Sequence, residues 1–430
     1  YSHGLAVVPL VDALRKRGCL QFIADSVVVR PGLVAETFRV NEGYLAVALR
    51  MFESMGWLDA VGDGTYRTTP AFREVDLVPD DAMSLYCLPF EQYALTDEPA
   101  LLGPWIDRSA MRWGSGHEYL PDYLDGTFII PLLLALKKNA NVRLQERERD
   151  DRTTSFLHLG LGPRTRAEIE SLFCSRKWAR IADDGTLALT AAGDYVWGRI
   201  HVTAAFASYR PMFLRAEELL FGDPKIVFTH GDDGHEQHLD RTLNVIGSGF
   251  QHEKYFIDLS ALIVSTFDST ELAEQPKYIA DTGCGDGTLL REIYETVKHK
   301  TLRGRFLDRY PLVLIGIDAN AKALEATERT LQQYEHFTLV GDIADPAGMV
   351  AALAEAGIDV ESVLHVRSFL DHDRTYRPPT DMAGAARWER IAVEGVHIDA
   401  DGKLIPPAMV AQSTVEHLRR WSDAANGHGL

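Results

Sequence analysis

The sequence predicts an α/β core built on a parallel sheet, preceded by a mainly helical region with winged-helix-like units. Three observations carry this prediction: a glycine-rich loop after an apolar run in YIADTGCGDGTLLREIYE (278–295), further buried-strand patterns behind it, and helix-and-hairpin patterns before it. A chain of 430 residues is long enough for two or three domains. We predict an N-terminal lid region over 1–200, a helical connector or lid over 201–276, and the α/β core over 277–430.

Composition and charge exclude several classes of protein. The net charge of −18 opposes nonspecific binding to nucleic acid or to anionic lipid, since both require cations against phosphate. The longest apolar run, FIIPLLLAL, is too short to cross a bilayer. Four scattered cysteines without CxxC spacing indicate a reducing compartment. We therefore expect a soluble, cytoplasmic protein with no nucleic-acid or membrane partner. Because Tyr1 is not a methionine, we also expect an excised piece of a longer chain.

Residues 31–72 read as two helices followed by a short hairpin, which is a winged-helix pattern. The pattern recurs at a constant offset over 164–195, which predicts a duplication with Trp57 and Trp178 at equivalent buried positions; the alternative is convergence on one hairpin. The segment NEGYLAVALRMFESMG has one arginine and two glutamates, so it indicates packing or dimerisation and not DNA binding. The recurring residues are Phe52, Ser54, Trp57, Asp63, Gly64, Thr65, Thr69 and Ala71, repeated as Phe173, Ser175, Trp178, Asp184, Gly185, Thr186, Thr190 and Ala192.

Four histidines lie in the predicted connector, at His230, His235, His238 and His252. Their spacing fits no standard zinc site, and no cysteine accompanies them. We expect substrate or cofactor contacts from a lid here in preference to a metal.

The glycine-rich loop follows a short strand that ends near Asp281. Gly283, Gly285 and Gly287 allow a ligand to approach the backbone closely, and the helix from Thr288 offers its N-terminal dipole. Alone, such a loop could be a tight turn without a ligand.

Three more strand patterns strengthen the ligand interpretation. LVLIGIDAN ends in Asp318, whose carboxylate can accept hydrogen bonds from ribose hydroxyls, and FTLVGDIAD places Asp342 where an adenine amino group would lie. SVLHVRSFLDHD (362–373) brings polar side chains to the end of a fourth strand. Ligands bind at this carboxyl edge in open α/β sheets.

An acidic residue followed by G-x-G-x-G resembles the first motif of class I S-adenosylmethionine (SAM) methyltransferases. A dinucleotide-binding fold would show G-x-G-x-x-G, but Thr288 occupies the last position. The resemblance implies a Rossmann-like core that binds SAM. The cofactor-binding residues that it implies are Asp281, Gly283, Gly285, Gly287, Asp318, Ala319, Asp342 and Ile343.

Three stretches narrow the resemblance: HLDRTLNVIGSGFQHEKYF, VRSFLDHDRTY and PPAMVAQSTVEHLRRW. They resemble methyltransferase domains of polyketide synthase loading modules that stand beside a GNAT-like decarboxylase, as in the apratoxin, gephyronic acid and saxitoxin pathways. That resemblance implies C-methylation of the α-carbon of a malonyl group on an acyl carrier protein, with a mononuclear iron-type metal. The carrier protein and adjacent synthase domains are the implied partners.

Methylating a malonyl α-carbon requires an enolate, which a divalent metal such as Fe or Mn can stabilise as a Lewis acid. Such a site needs oxygen and nitrogen ligands, and we predict Asp371, His372 and Gln412, with His417 as a rival to Gln412. His372 is also the catalytic candidate. Two alternatives remain for the DHDR stretch: a helix cap with a surface ion pair, and acid–base catalysis by His372 without metal.

Arg367 and Arg374 are the other catalytic candidates, because a guanidinium group can hold a substrate carboxylate or a phosphopantetheine phosphate. Either could instead be a salt-bridge partner. Only four of the seven strands usual for this class are readable before EHLRRWSDAANGHGL, so we expect an incomplete core.

Two other functions remain open. One is O-methylation of a small molecule, since plant-like and antibiotic O-methyltransferases also join a winged helix to a SAM domain. The other is a noncatalytic SAM-binding module of a synthase.

Overall fold

The computed structural model describes residues 1–87, 102–145, 162–183, 187–231, 236–368, 370–371, 374–390 and 395–425. The chain forms two compact units: unit 1 comprises Tyr1–Gln251 and Ile398–Leu404, and unit 2 comprises His252–His397 and Ile405–Leu430. The boundary between the units differs from the predicted one at 276/277. It lies between Gln251 and His252, inside one continuous helix, Arg241–Phe267.

Unit 1 is mainly helical, with two antiparallel hairpins. Its apolar core includes the buried side chains of Leu5, Leu14, Phe128 and Leu132, so the first helix packs on the long helix that follows residue 119. The helices are α1 (Gly4–Lys16), α2 (Cys19–Asp25), α3 (Pro31–Phe38), α4 (Glu42–Ser54), α5 (Ala82–Tyr86), α6 (Gly103–Ala110), α7 (Leu120–Gln145), α8 (Pro163–Ser175), α9 (Ala191–Arg199), α10 (Ala204–Ala207), α11 (Arg210–Phe213), α12 (Ala216–Phe221) and the start of α13 (Arg241–Phe267). The hairpins are β1 (Leu58–Gly62) with β2 (Thr65–Thr68), and β3 (Ala179–Ile181) with β4 (Leu187–Leu189).

The two predicted repeat segments share their local structure. In each, the backbone N–H of a tryptophan donates to the backbone carbonyl of a helix phenylalanine. The backbone carbonyl of the same tryptophan accepts from the backbone N–H of a threonine that closes the hairpin. The phenylalanine and tryptophan ring centroids lie 5.3 Å apart in the first segment and 5.6 Å apart in the second. The residues are Phe52, Trp57 and Thr69, and Phe173, Trp178 and Thr190. Both tryptophans are buried. Residues 184–186 lie outside the described residues, and a common origin of the two segments stays a prediction.

A turn from the second half of the chain belongs to unit 1. The side-chain amide of Asn41 donates to the carbonyl of Asp401 at 3.1 Å, and the N–H of Gly43 donates to the carbonyl of Gly402 at 3.0 Å. Lys225 forms an ion pair with Asp401. The turn therefore packs at the start of α4, a contact over more than 350 positions that sequence patterns did not predict.

Unit 2 contains the predicted parallel sheet, whose strands stand in the order β7 (His336–Val340), β6 (Val313–Asp318), β5 (Tyr278–Thr282) and β8 (Val363–Val366). Residues alternate between its two faces: Ile279 and Leu314 pack with the helices after β5 and β6, whereas Ala280 and Ile315 pack with helices of the opposite face. A short pair, β9 (His397–Ile398) with β10 (Leu404–Ile405), flanks the turn that belongs to unit 1. The helices are α14 (Thr288–Lys300), α15 (Ala321–Leu331), α16 (Pro346–Glu355), α17 (Met382–Trp388) and α18 (Pro407–Ala425). The predicted fold class is confirmed.

In the described part of the chain, no helix is both long enough and apolar enough to cross a membrane.

Candidate functional site

The carboxyl ends of the parallel strands meet at one edge of the sheet in unit 2. Strand β5 pairs with β6 on one side and with β8 on the other. The chain therefore reverses its direction of travel across the sheet beside β5, and such a switch point opens a crevice for ligands at the carboxyl ends of the strands.

The glycine-rich loop lies at this switch point in the conformation that its glycines permit. Gly283, Gly285 and Gly287 have φ values of 79°, 58° and 77°, a left-handed region that favours glycine. The N–H of Gly283 donates to the carbonyl of Ile317 at 2.7 Å, which fixes the loop to β6. A Cβ atom on Gly285 would meet nothing within 4 Å. The loop thus presents open backbone at the start of α14, which suits an anionic or polar ligand.

Asp318 faces the loop from the end of β6. Its Oδ2 accepts from the N–H of Gly285 at 3.1 Å, and its Oδ1 accepts from the N–H of Asn320 at 2.8 Å. These bonds hold the carboxylate in place while each oxygen keeps a further lone pair. The arrangement fits the predicted ribose acceptor, and Ala319 follows it directly on the exposed side.

Asp281 is buried at the end of β5. Burial, with a smaller contribution from the negative charge of Asp318, raises its pKa to about 7. Next to it, the hydroxyl of Thr282 is buried and has no hydrogen-bond partner within the described ranges. Sequence reasoning missed Thr282, although it is the last strand residue before the glycine loop.

Asp342 and Ile343 follow β7. Oδ1 of Asp342 accepts from the N–H of Ala344 at 2.8 Å, and its Oδ2 lies 3.8 Å from the guanidinium of Arg377. The carbonyl of Ile343 accepts from Nε1 of Trp421 at 2.9 Å. The predicted adenine-binding segment is therefore tied to α18.

Asp371 lies five residues after the end of β8, beside the glycine loop: a Cβ atom on Gly283 would meet the side chain of Leu370 at 2.5 Å. Oδ1 of Asp371 is 2.8 Å from Nε2 of His417 and 3.2 Å from Nε of Arg367. The segment after β8 thus brings a carboxylate and a guanidinium close to the predicted cofactor loop, and α18 adds the imidazole of His417.

His417 is buried, and burial lowers its pKa below the ordinary value, although the hydrogen bond to Asp371 opposes the shift. A neutral imidazole that donates from Nε2 to Asp371 keeps a lone pair on Nδ1. That atom is buried and has no hydrogen-bond partner among the residues described here. Such a lone pair can bind a metal or accept a proton.

The two predicted arginines lie at this site. The Cζ atom of Arg367 lies 4.6 Å from the centroid of a Trp421 ring. Arg374 donates to the backbone carbonyl of Asp371 at 2.9 Å and to the hydroxyl of Thr414 at 2.8 Å. Burial lowers the pKa of Arg374.

The predicted metal ligands are not all brought together. Gln412 is buried, but its Oε1 accepts from Nε1 of Trp388 at 3.1 Å and its Nε2 lies 3.4 Å from Asp381. His372 lies outside the described residues. Within the described ranges, no three histidine, cysteine, aspartate or glutamate side chains form a metal-binding group. The metal site stays a prediction.

Of the four connector histidines, two have described side chains. His238 packs against Phe228 with ring centroids 5.1 Å apart, and His230 forms a β-bridge with Glu236. A lid role for them stays a prediction. His235 and the side chain of His252 lie outside the described residues.

Three family models match the chain. Residues 236–430 match a model described as AprA MT2-like domain, residues 125–223 match an AprA winged helix domain, and residues 1–60 match an AprA N-terminal domain. These matches confirm the methyltransferase class predicted from the glycine loop and the strand-end acids, and they confirm a winged helix in the N-terminal half.

Similar solved structures include one titled "Structure of the citrinin polyketide synthase CMeT domain", with 9% identity over 78% of this chain and 83% of that chain and a TM-score of 0.28. Another is titled "PigF with SAH", with 14% identity over 80% of this chain and 64% of that chain and a TM-score of 0.17. At these scores neither similarity defines the fold. No curated protein is significantly similar in sequence.

Proposed function

We propose that this SAM-dependent methyltransferase, whose three matched domains are of the AprA type, C-methylates the α-carbon of a malonyl group on an acyl carrier protein of a polyketide synthase. The reaction belongs to starter-unit biosynthesis, in the cytoplasm, next to synthase domains such as a GNAT-like decarboxylase. The observation that carries the proposal is the group of Asp371, His417 and Arg367 beside the cofactor loop.

The cofactor half of the reaction uses the carboxyl edge of the sheet. Asp318 accepts hydrogen bonds from the ribose, and Asp342 with Ile343 holds the adenine. The open backbone at Gly285 receives the methionine end of SAM. Bound SAM would supply the methyl group: the C–C bond to the enolate carbon would form as the C–S bond breaks, and S-adenosylhomocysteine would be the leaving product.

The substrate half uses the segment after β8. A malonyl thioester carries one negative charge on its free carboxylate, and Arg367 and Arg374 are the cations predicted to orient it. Arg374 donates to two neutral acceptors, the backbone carbonyl of Asp371 and the hydroxyl of Thr414, so its guanidinium can also hold an anionic substrate. Asp371 fixes the imidazole of His417, and hence the direction of Nδ1.

A divalent metal, Fe or Mn, completes the proposal. Asp371 and His372 would hold it, together with Gln412 or His417, and it would supply a Lewis acid for the enolate oxygen. Asp371 offers a carboxylate and His417 a buried Nδ1 that lacks a partner within the described ranges, but Asp371 holds the opposite ring nitrogen of His417, so both side chains could bind one ion only if that hydrogen bond breaks. Since Gln412 already binds Trp388, His417 is the better supported of the two rivals.

O-methylation of a small molecule is the second candidate. The observation that favours it is the same pair, because a buried neutral His417 held by Asp371 could take a proton from a substrate hydroxyl through Nδ1 without any metal.

Intact-mass analysis of malonyl carrier protein tests the proposal. The carrier protein is incubated with this protein, SAM and either Fe(II) or Mn(II), and a gain of one methylene on the malonyl group is expected. Incubations without SAM, and with acetyl carrier protein, are the controls. Methylation of a hydroxyl substrate with no change in malonyl carrier protein would reject the proposal in favour of the second candidate.

A further inference from the structure

A third arginine lies at the site with Arg367 and Arg374. Arg420 is on α18, three residues after His417, so it shares the helix face that carries the imidazole. Asp371 connects the two arginines, because its carboxylate bonds His417 on this helix and its backbone carbonyl accepts from Arg374. Burial lowers the pKa of Arg374, the charge of Asp371 opposes that shift, and the charge of Arg420 adds to it. Arg420 does not stand out in the sequence, because it directly follows another arginine, Arg419.

The surroundings of Arg420 are unusual for a cation. Its Nε is buried and has no hydrogen-bond partner among the described residues. A buried donor without an acceptor lowers stability, and it does so more strongly when the donor is charged. A bound anion would remove this cost.

Nearby acids do not supply that anion within the described ranges. The carboxylate of Asp371 pairs with Arg367 and His417, whereas Arg374 binds the backbone of Asp371 and the hydroxyl of Thr414. Two guanidinium groups close together repel each other, most strongly where water is excluded. Arg374 and Arg420 thus form a positive site in a chain of net charge −18.

We propose that Arg420, together with Arg374, binds the free carboxylate of the acyl substrate and so selects a dicarboxylic monothioester over a neutral acyl thioester. This inference rests on the proposed function for the identity of the anion. A planar guanidinium group can hold a carboxylate through two parallel hydrogen bonds, which gives geometry as well as charge.

The position of the site favours a carboxylate over the phosphate of phosphopantetheine. Leu370 touches the cofactor loop at Gly283, and Asp371, which binds Arg374, follows it directly. The arginines therefore lie near the point of methyl transfer. In a carrier-bound malonyl group the carboxylate is next to the reacting carbon, whereas the phosphate is at the far end of the pantetheine arm.

Calorimetry with malonyl-pantetheine and acetyl-pantetheine tests the inference, since neither probe carries the phosphate. The full chain is saturated with S-adenosylhomocysteine, with Mn(II) held constant. We expect the wild type to bind malonyl-pantetheine more tightly than acetyl-pantetheine. Arg420→Gln should weaken malonyl-pantetheine about 10- to 100-fold and leave acetyl-pantetheine unchanged, as expected for a lost charge-assisted hydrogen bond.

Arg419→Gln is the matched control, because Arg419 is the exposed neighbour on the same helix; it should change neither affinity. Arg420→Lys keeps the charge without the planar fork and should retain part of the preference for malonyl, which also covers the case in which the Gln variant does not fold. An equal loss for both probes in Arg420→Gln, or no preference in the wild type, would overturn the inference.

The mass assay separates this inference from the proposed function. If malonyl carrier protein is methylated and Arg420→Gln keeps the wild-type preference, the carboxylate site is wrong and the function stands. If the preference depends on Arg420 but no malonyl group is methylated, the site stands and the function is wrong.

Discussion

Nε2 of His417 lies 2.8 Å from Oδ1 of Asp371, which joins α18 to the segment after β8 across 46 positions of sequence. His417 is fully buried, so this bond fixes the ring and leaves Nδ1 as its unused atom within the described ranges. The bond also connects the two halves of the proposed reaction, because Trp421 on the same helix donates to the carbonyl of Ile343, a predicted adenine contact. The predictions below separate the contributions of these two halves.

Replacing Asp318 by alanine should weaken S-adenosylhomocysteine binding by about 1 to 3 kcal/mol, because the ribose loses a charged acceptor. Isothermal calorimetry measures this directly. Asp308→Ala is the control, since Asp308 is an exposed acid of the same unit and is not a predicted cofactor contact. Equal affinities of the wild type and Asp318→Ala would reject the ribose assignment.

Replacing Gly283 by alanine should abolish tight cofactor binding. Its φ of 79° is strained for alanine, and the new Cβ would meet Leu370 at 2.5 Å. Gly357→Ala is a matched control, because Gly357 has a φ of 81° and open space around it outside the cofactor loop. We expect both variants to lose about 1 to 3 kcal/mol of stability, but only Gly283→Ala to lose S-adenosylhomocysteine. Normal binding by Gly283→Ala would show that the loop tolerates a side chain and that the cofactor does not need close contact with its backbone.

The pKa of Asp281 predicts a pH dependence of stability. Because the folded-state pKa is about 7 and the ordinary value is 3.8, the folded chain keeps a proton that the unfolded chain releases between these values. The stabilisation is present below the ordinary pKa and is lost as the pH rises through the folded one. Urea denaturation of the ligand-free protein should therefore show stability falling over this window relative to Asp281→Asn. A constant difference between the two proteins across the window would contradict the assignment.

The fold and the cofactor half follow from local sequence patterns. Strands β5 and β6 end at Thr282 and Asp318, close to the predicted ends, because a buried apolar run followed by glycine or aspartate is readable without tertiary information. The left-handed glycines of the loop are similarly local. The boundary between the units could not be predicted from the sequence, because α13 continues through it as one helix.

The substrate half depends on contacts that no local pattern reveals. Asp371 meets His417, and Arg374 meets Thr414, only because α18 lies against the segment after β8. One signal was present: Ser413, His417 and Trp421 recur at intervals of four residues and are all buried, as the inner face of a helix should be. That spacing would have favoured His417 as an inward-facing residue.

Removing metal should separate methyl transfer from cofactor binding. We expect chelation to abolish turnover while S-adenosylhomocysteine affinity is unchanged, because the predicted metal donors and the predicted cofactor residues do not overlap, and Fe(II) or Mn(II) should restore turnover. His372→Ala should lose bound metal and turnover together. His299→Ala, which removes an exposed histidine paired with Glu295, should lose neither. Full turnover in metal-stripped protein would favour the reaction without metal over the metal-assisted reaction.

The most direct test of the account is the position of the transferred methyl group. The full chain is incubated with malonyl carrier protein, Mn(II) or Fe(II), and SAM labelled with carbon-13 in its methyl group, and the product is examined by NMR. We predict a labelled methyl group bonded to the α-carbon of the acyl group, and its loss when Asp318 is replaced by alanine at limiting SAM. A labelled methyl group found on oxygen, or no label on the malonyl group while a hydroxyl substrate is methylated, would contradict it.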